Sequence, residues 1–110
     1  MPKISHKTQE KIQHLQILEQ NLQNILLQKQ AFKLESSETE NALKEVENSK
    51  QEVYRLIGQV MLKSSKTDIE KELKQKKEIL DIRVKSIEKQ EQELARQSEN
   101  LKQEVMKEIN

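Results

Sequence analysis

Val53-Tyr54-Arg55-Leu56-Ile57-Gly58-Gln59-Val60-Met61-Leu62 breaks the helical period of the chain on either side of it. The stretch holds the only Gly and the only Tyr among 110 residues. Val53, Tyr54, Ile57 and Val60 are residue types at home in strands, and Gly58 offers the positive φ that a two-residue hairpin turn requires. Asn48-Ser49 before the run and Ser64-Ser65 after it are turn formers. The stretch therefore predicts a β-hairpin within 49–67, against the competing possibility of a continued helix or an apolar loop. A lone two-stranded hairpin is marginal in water, and its unpaired edges recruit other strands. With apolar residues on both faces it has to be covered, so an oligomer joined through strands at residues 52–63 is expected.

Outward from the hairpin, each arm carries a heptad pattern. In the first, Leu15, Leu18, Leu22, Ile25, Phe32, Leu43 and Val46 alternate at three and four residues, the spacing of a coiled-coil seam. The template extends to Ile4 and Thr8, while Lys11, Lys29, Ser36 and Thr39 occupy positions that a tight seam fills with Leu or Ile. The second arm opens with a capping box, Thr67 with Glu70, and with Asp68 suited to the positive end of the helix dipole. Leu73, Leu80, Ile87, Leu94 and Leu101 then recur every seven residues. The companion column, Lys77, Val84, Glu91, Ser98 and Val105, is only partly apolar.

A short connection between two arms of this length returns the chain antiparallel to itself. Leu15, Leu22, Lys29, Ser36 and Leu43 then face Leu101, Leu94, Ile87, Leu80 and Leu73, partners whose numbers add to 116, and Phe32 faces Val84. A slip of one heptad would keep the pattern, so loop length selects this register. At about 1.5 Å per residue each arm would run on the order of 65 Å. The expected fold is mainly α: one domain over 1–110, with a helix in 1–48, the hairpin segment in 49–67 and a second helix in 68–110.

Composition narrows the function. A chain with 33% hydrophobic and 2% aromatic residues cannot build a thick core, but it can pair helices along a narrow seam. Charged residues make up 35% with a net charge of +1. That balance suits solvated helix faces laced with ion pairs and argues against a general nucleic-acid binder. Lys74-Gln75-Lys76-Lys77 is the densest basic run, but Glu70, Glu72 and Glu78 neutralise it and no aromatic residue interleaves. There is no cysteine for a disulfide or thiolate metal site, no apolar run of about 20 residues to span a membrane, and no apolar core of a signal peptide. A cytoplasmic protein without cofactor is expected.

No catalytic constellation emerges. Two helices and a hairpin offer no enclosed, water-excluding site. His6 and His14 lie eight residues apart, with no acidic or Cys partner expected at ligand spacing on the same face, and the single Gly excludes a Gly-rich phosphate loop. The carboxylates Glu88, Glu91 and Glu93 alternate with Lys and Gln as on a solvated helix face. Apolar residues off the seam include Ile17, Leu26, Leu27, Leu34, Ile79 and Ile82. In an antiparallel pair Ile4, Ile12 and Leu15 meet Leu101, Val105, Met106 and Ile109 at one tip, with more apolar faces than one seam buries. The tip is a candidate surface for nonspecific apolar ligands.

The run Val53-Tyr54-x-x-x-Gly58-x-Val60-x-Leu62-Lys63 between two heptad arms resembles the beta class of prefoldin subunits, in its archaeal type. The similarity extends to Gln28-Lys29-Gln30 in the first arm and to Leu80-Asp81-Ile82-Arg83 and Glu88-Lys89-Gln90-Glu91 in the second. It implies an ATP-independent chaperone built as a hexamer of two alpha and four beta subunits. In that family the hairpins join into a double β-barrel platform, and the coiled-coil tips hold unfolded client proteins and pass them to a group II chaperonin. The resemblance maps Val53, Tyr54, Leu56, Ile57, Gly58, Val60 and Leu62 to the platform. Ile4, Ile12, Leu15, Leu101, Val105, Met106 and Ile109 map to the client-binding tip by location. The competing class is a structural or adaptor coiled coil that zips with partner helices.

Overall fold

The computed structural model describes residues 4–109; the extreme ends of the domain read from sequence, 1–3 and 110, lie outside the described residues. The elements are α1 (His6–Asn48), β1 (Val53–Ile57), β2 (Val60–Ser64) and α2 (Lys66–Ile109). Two long helices flank one hairpin, the mainly α architecture expected from the heptads.

Local chemistry sets the element ends. A helix start leaves backbone donors without intrahelical partners, and a hydroxyl one residue before the helix can accept from one of them. Ser5 does so for α1, accepting from the Thr8 N–H at 3.1 Å. For α2 the cap is Ser65, which accepts from the Asp68 N–H at 3.4 Å, and not Thr67, which lies inside the first turn. The strand β2 runs on to Ser64, so Ser65 is the single residue between strand and helix. It is therefore the only position left for the non-helical backbone of a cap.

The strands pair antiparallel, from Val53 opposite Ser64 to Ile57 opposite Val60. Gly58 and Gln59 remain as a two-residue turn. Gly58 has φ +60°, and no other described residue has a positive φ. Glycine at the first central position followed by an ordinary residue is the type II′ pattern, whose twist matches that of the strands.

The chain divides into two compact units. The unit Ala31–Val84 contains the hairpin. Its seam is made by Phe32, Ser36, Thr39, Leu43 and Val46 of α1 with Leu73, Lys77, Leu80 and Val84 of α2, all buried or half-buried. Leu80 is only 2% exposed. The other unit joins the residues up to Gln30 with those from Lys85 onward. There Leu15, Leu18, Leu22 and Ile25 of α1 and Ile87, Leu94, Leu101 and Val105 of α2 form the seam.

Contacts within each unit establish the register. In the second unit Thr8 bonds Glu108, whose numbers add to the predicted 116. In the first, Ser36 bonds Asp81 and the Arg83 guanidinium lies 5.8 Å from the Phe32 ring centre. Each of these two pairs falls within one residue of 116, whereas a heptad slip would move partners by seven.

Lys29, Ser36, Thr39 and Lys77 in the seam each have a polar partner, as burial of a polar group favours. Lys29 Nζ lies 2.6 Å from Glu91 Oε2, one turn beyond the Ile87 that the pattern places opposite it. Ser36 donates to Asp81 at 2.8 Å, and Lys77 Nζ lies 3.1 Å from the same carboxylate. Thr39 donates to the Glu35 carbonyl of its own helix at 2.7 Å. The positions that read as weak points in the sequence are hydrogen-bonded or ion-paired layers.

Candidate functional site

The two-residue period of a strand puts Val53, Arg55, Ile57, Val60, Leu62 and Ser64 on one face of the hairpin, and Tyr54, Leu56, Met61 and Lys63 on the other. On the first face Val53, Arg55 and Ser64 are half-buried, and the Arg55 guanidinium bonds Glu72 of α2. This fastens the base of the hairpin to α2. Beyond that base Ile57, Val60 and Leu62 are exposed. On the opposite face Leu56 and Met61 stand directly across from each other, 67% and 66% exposed.

Tyr54 and Lys63, the pair nearest the helices on this second face, share one carboxylate. The Tyr54 phenol donates to Glu52 at 2.8 Å, and Lys63 Nζ lies 2.8 Å from the other Glu52 oxygen. Hydrogen bonding from Lys63, and then from Tyr54, holds Glu52 below the usual carboxylate range. The same carboxylate pushes the Tyr54 phenol up. Polar chemistry thus closes at the base, and the outer part of the hairpin is apolar on both faces. The sheet has two strands only, so each strand keeps one edge of unpaired backbone groups. The outer hairpin thus exposes an apolar patch continuous over two faces beside open strand edges.

In the other unit, Ile4, Met106 and Ile109 are exposed. Ile12, Leu15 and Leu101 are half-buried. Val105 is 6% exposed and belongs to the seam, so it faces a ligand only if the helices part. Around these residues lies a polar network that the sequence reading did not contain. Thr8, 3% exposed, has its hydroxyl 2.8 Å from Ser5 Oγ and donates to Glu108 at 2.6 Å. Lys11 bonds the other oxygen of Glu108 and lies 3.5 Å from Glu104. Hydrogen bonding from Lys11, then from Thr8, holds Glu108 below the carboxylate range, and Glu108 in turn raises Lys11. A signal for this network was present: the pairing constant of 116 sets Thr8 against Glu108.

His6 lies 3.1 Å from the Glu10 carboxylate, an acidic neighbour that the sequence reading did not assign to it. One exposed pair makes no metal site, and among the described residues no group of three or more His, Cys, Asp or Glu is placed to hold a metal ion. No helix among them is long and apolar enough to cross a membrane.

A family model described as "Prefoldin subunit" matches residues 9–110. The chain is 36% identical over 111 residues to the prefoldin subunit beta of Methanospirillum hungatei, covering 99% of this chain and 92% of that protein. It is 31% identical over 112 residues to that of Pyrobaculum islandicum, covering 100% and 90%. The crystal structure of the prefoldin beta subunit from Thermococcus strain KS-1 superposes with a TM-score of 0.90 at 31% identity, covering 97% of this chain and 96% of that one.

Proposed function

The chain belongs to the prefoldin family, in its beta-subunit class, and from that premise we propose that it is a subunit of an ATP-independent chaperone that holds unfolded proteins. This is a family of chaperones, not of enzymes. The observation that carries the proposal is the hairpin. Tyr54, Leu56, Ile57, Val60, Met61 and Leu62 are all exposed large hydrophobics, spread over two faces with free strand edges. Pairing with the hairpins of other subunits removes both liabilities at once, in a β-barrel platform of two alpha and four beta subunits.

Client holding belongs to the tip residues Ile4, Ile12, Leu15, Leu101, Val105, Met106 and Ile109. Several tips acting together give avidity from shallow apolar contacts, so no single tight site is needed. Release by transfer to a group II chaperonin requires no nucleotide on this chain. The net charge of +1 supports an unfolded polypeptide and not a polyanion as the ligand. The compartment that fits this role is the cytoplasm.

Two measurements test the proposal. Mixed with a prefoldin alpha subunit, the chain should assemble to the native mass of two alpha and four beta; strand-free dimers that ignore the alpha subunit would sink the platform assignment. A chain lacking residues 1–12 and 100–110 should still assemble but lose suppression of client aggregation. Full holding by that truncated assembly would sink the tip assignment.

A further inference from the structure

The apolar residues of the tip are not all open to a client. In the unit formed by the two chain termini, the seam layer containing Leu15, Leu101 and Val105 is half-buried to buried. Toward the ends of the helices that layer is followed by polar pairs and not by a frayed apolar end. Thr8 donates to Glu108 at 2.6 Å, Lys11 bonds the same carboxylate and lies 3.5 Å from Glu104, and Ser5 both caps α1 and contacts the Thr8 hydroxyl. Thr8 and Glu108 join residues one hundred positions apart in sequence.

The placement of this network is unusual for a surface ion pair. Exposed pairs contribute little because water competes for both partners. Here Thr8 is 3% exposed, and the Lys11 and Glu108 side chains are 25% and 34% exposed. Opening the helices at this end would strip a buried hydroxyl of its acceptor and separate a three-member charge cluster. Polar closures of this kind hold a defined geometry, yet water can replace their partners once they open.

We propose that Thr8, Lys11, Glu104 and Glu108, with Ser5 behind them, form a polar latch that keeps the Leu15, Leu101 and Val105 layer closed, and that client chains reach this layer when the latch opens. The proposal rests on the tip reading above and specifies its regulation. In the closed state the tip fully exposes Ile4, Met106 and Ile109, while Ile12, Leu15 and Leu101 are half-buried and Val105 is buried in the paired seam. An unfolded client that inserts an apolar segment replaces the burial lost when the helices part. Water and solvent ions solvate the released polar groups. Client affinity then depends on the stability of the latch as well as on the apolar residues themselves.

The test uses the chain assembled with an alpha subunit that lacks cysteine, and chemically unfolded citrate synthase as the client. This chain has no cysteine of its own, so Thr8→Cys with Glu108→Cys introduces a single reversible crosslink across the latch. Oxidised, the doubly substituted assembly should lose most of its suppression of aggregation, and reduction should restore it. In a second variant, Glu108→Lys sets like charges together; it should raise hydrogen exchange at residues 101–109 several-fold and lower the concentration needed for half-maximal suppression several-fold. Equal holding by the oxidised and reduced assemblies would overturn the latch; where the two cysteines are too far apart to oxidise, a short bismaleimide crosslink between them takes the disulfide's place, and equal holding with and without it would overturn the latch in the same way. So would faster exchange in Glu108→Lys without improved holding. The truncation described above separates these outcomes from failure of the tip reading itself, because only that failure leaves holding intact when the tip is absent.

Discussion

Gly58 is the residue on which the turn depends. A side chain at its φ of +60° crowds the neighbouring carbonyl, a strain of about 1–2 kcal/mol, while an added Cβ would meet nothing else within 4 Å. Gly58→Ala should therefore destabilise the assembled protein in urea by about that much, and Gly58→Asn by less, because Asn is among the residues that primed hairpin turns accept at positive φ. An Ala variant as stable as the parent would show that the turn does not hold this angle in solution. Glu108 and Lys11 make a pH prediction. The Glu108 carboxyl is lowered, so its contribution is present above its unfolded value of about 4.3 and is lost as pH falls through the folded value. Lys11 is raised, so its contribution is present below about 10.4 and is lost only as pH climbs past the folded value. Protection of residues 101–109 against hydrogen exchange, corrected for intrinsic rates, should hold through neutral pH and drop below about pH 4. Gly58 was legible in the sequence because glycine has a distinctive backbone. The Thr8 to Glu108 bond was legible only as a facing pair in one of the registers the heptads allow, because neither residue is unusual until the helices are paired.

Heptad columns made both helices legible as elements, and the seam positions named from them are buried or half-buried, except Ile4 at the outer end of the first column, which is exposed. Their ends were less so: Ser65 and Thr67 are equally good caps by composition, and only the length of β2 decides between them. Leu80, 2% exposed, should be the most sensitive aliphatic site on α2. Leu80→Ala should lower unfolding stability by about 2–5 kcal/mol, the usual cost of a buried leucine truncation, whereas Ile82→Ala on the exposed side should have little effect. Similar effects from the two would contradict the seam assignment. Lys29 and Glu91 test what a polar layer does. Replacing Lys29 alone with Leu leaves a half-buried carboxylate without its cation and should lower the unfolding midpoint. Replacing both with Leu should restore or raise the midpoint, since apolar packing often matches an ion pair in stability. The doubly substituted chain should also tolerate alternative pairings, because Lys29 opposite Lys29 or Glu91 opposite Glu91 no longer repel; native mass spectrometry would reveal them. A midpoint that falls further in the double variant would contradict this account.

For the whole molecule the outer hairpin should control assembly and leave helix formation untouched. Leu56→Glu combined with Leu62→Glu places charges on both exposed apolar faces. Uptake of the alpha subunit should be lost, read as native mass, while the helical far-UV signal of the chain stays the same. Normal assembly by this variant would mean that the subunits join elsewhere. By itself the sequence determined the helix, hairpin, helix order and the antiparallel direction, and narrowed the register to one heptad, because these follow from hydrophobic period, a single glycine and a short connection, all of them local or repetitive signals. Only the tertiary structure decided that Ser65 caps α2, that Lys29 finds Glu91, that Val105 lies inside the seam and that Thr8, Lys11, Glu104 and Glu108 come together in one polar network. Those outcomes depend on which side chains from distant parts of the chain come within hydrogen-bonding reach. A difference of one helical turn, invisible to a seven-residue pattern, is enough to change the partner.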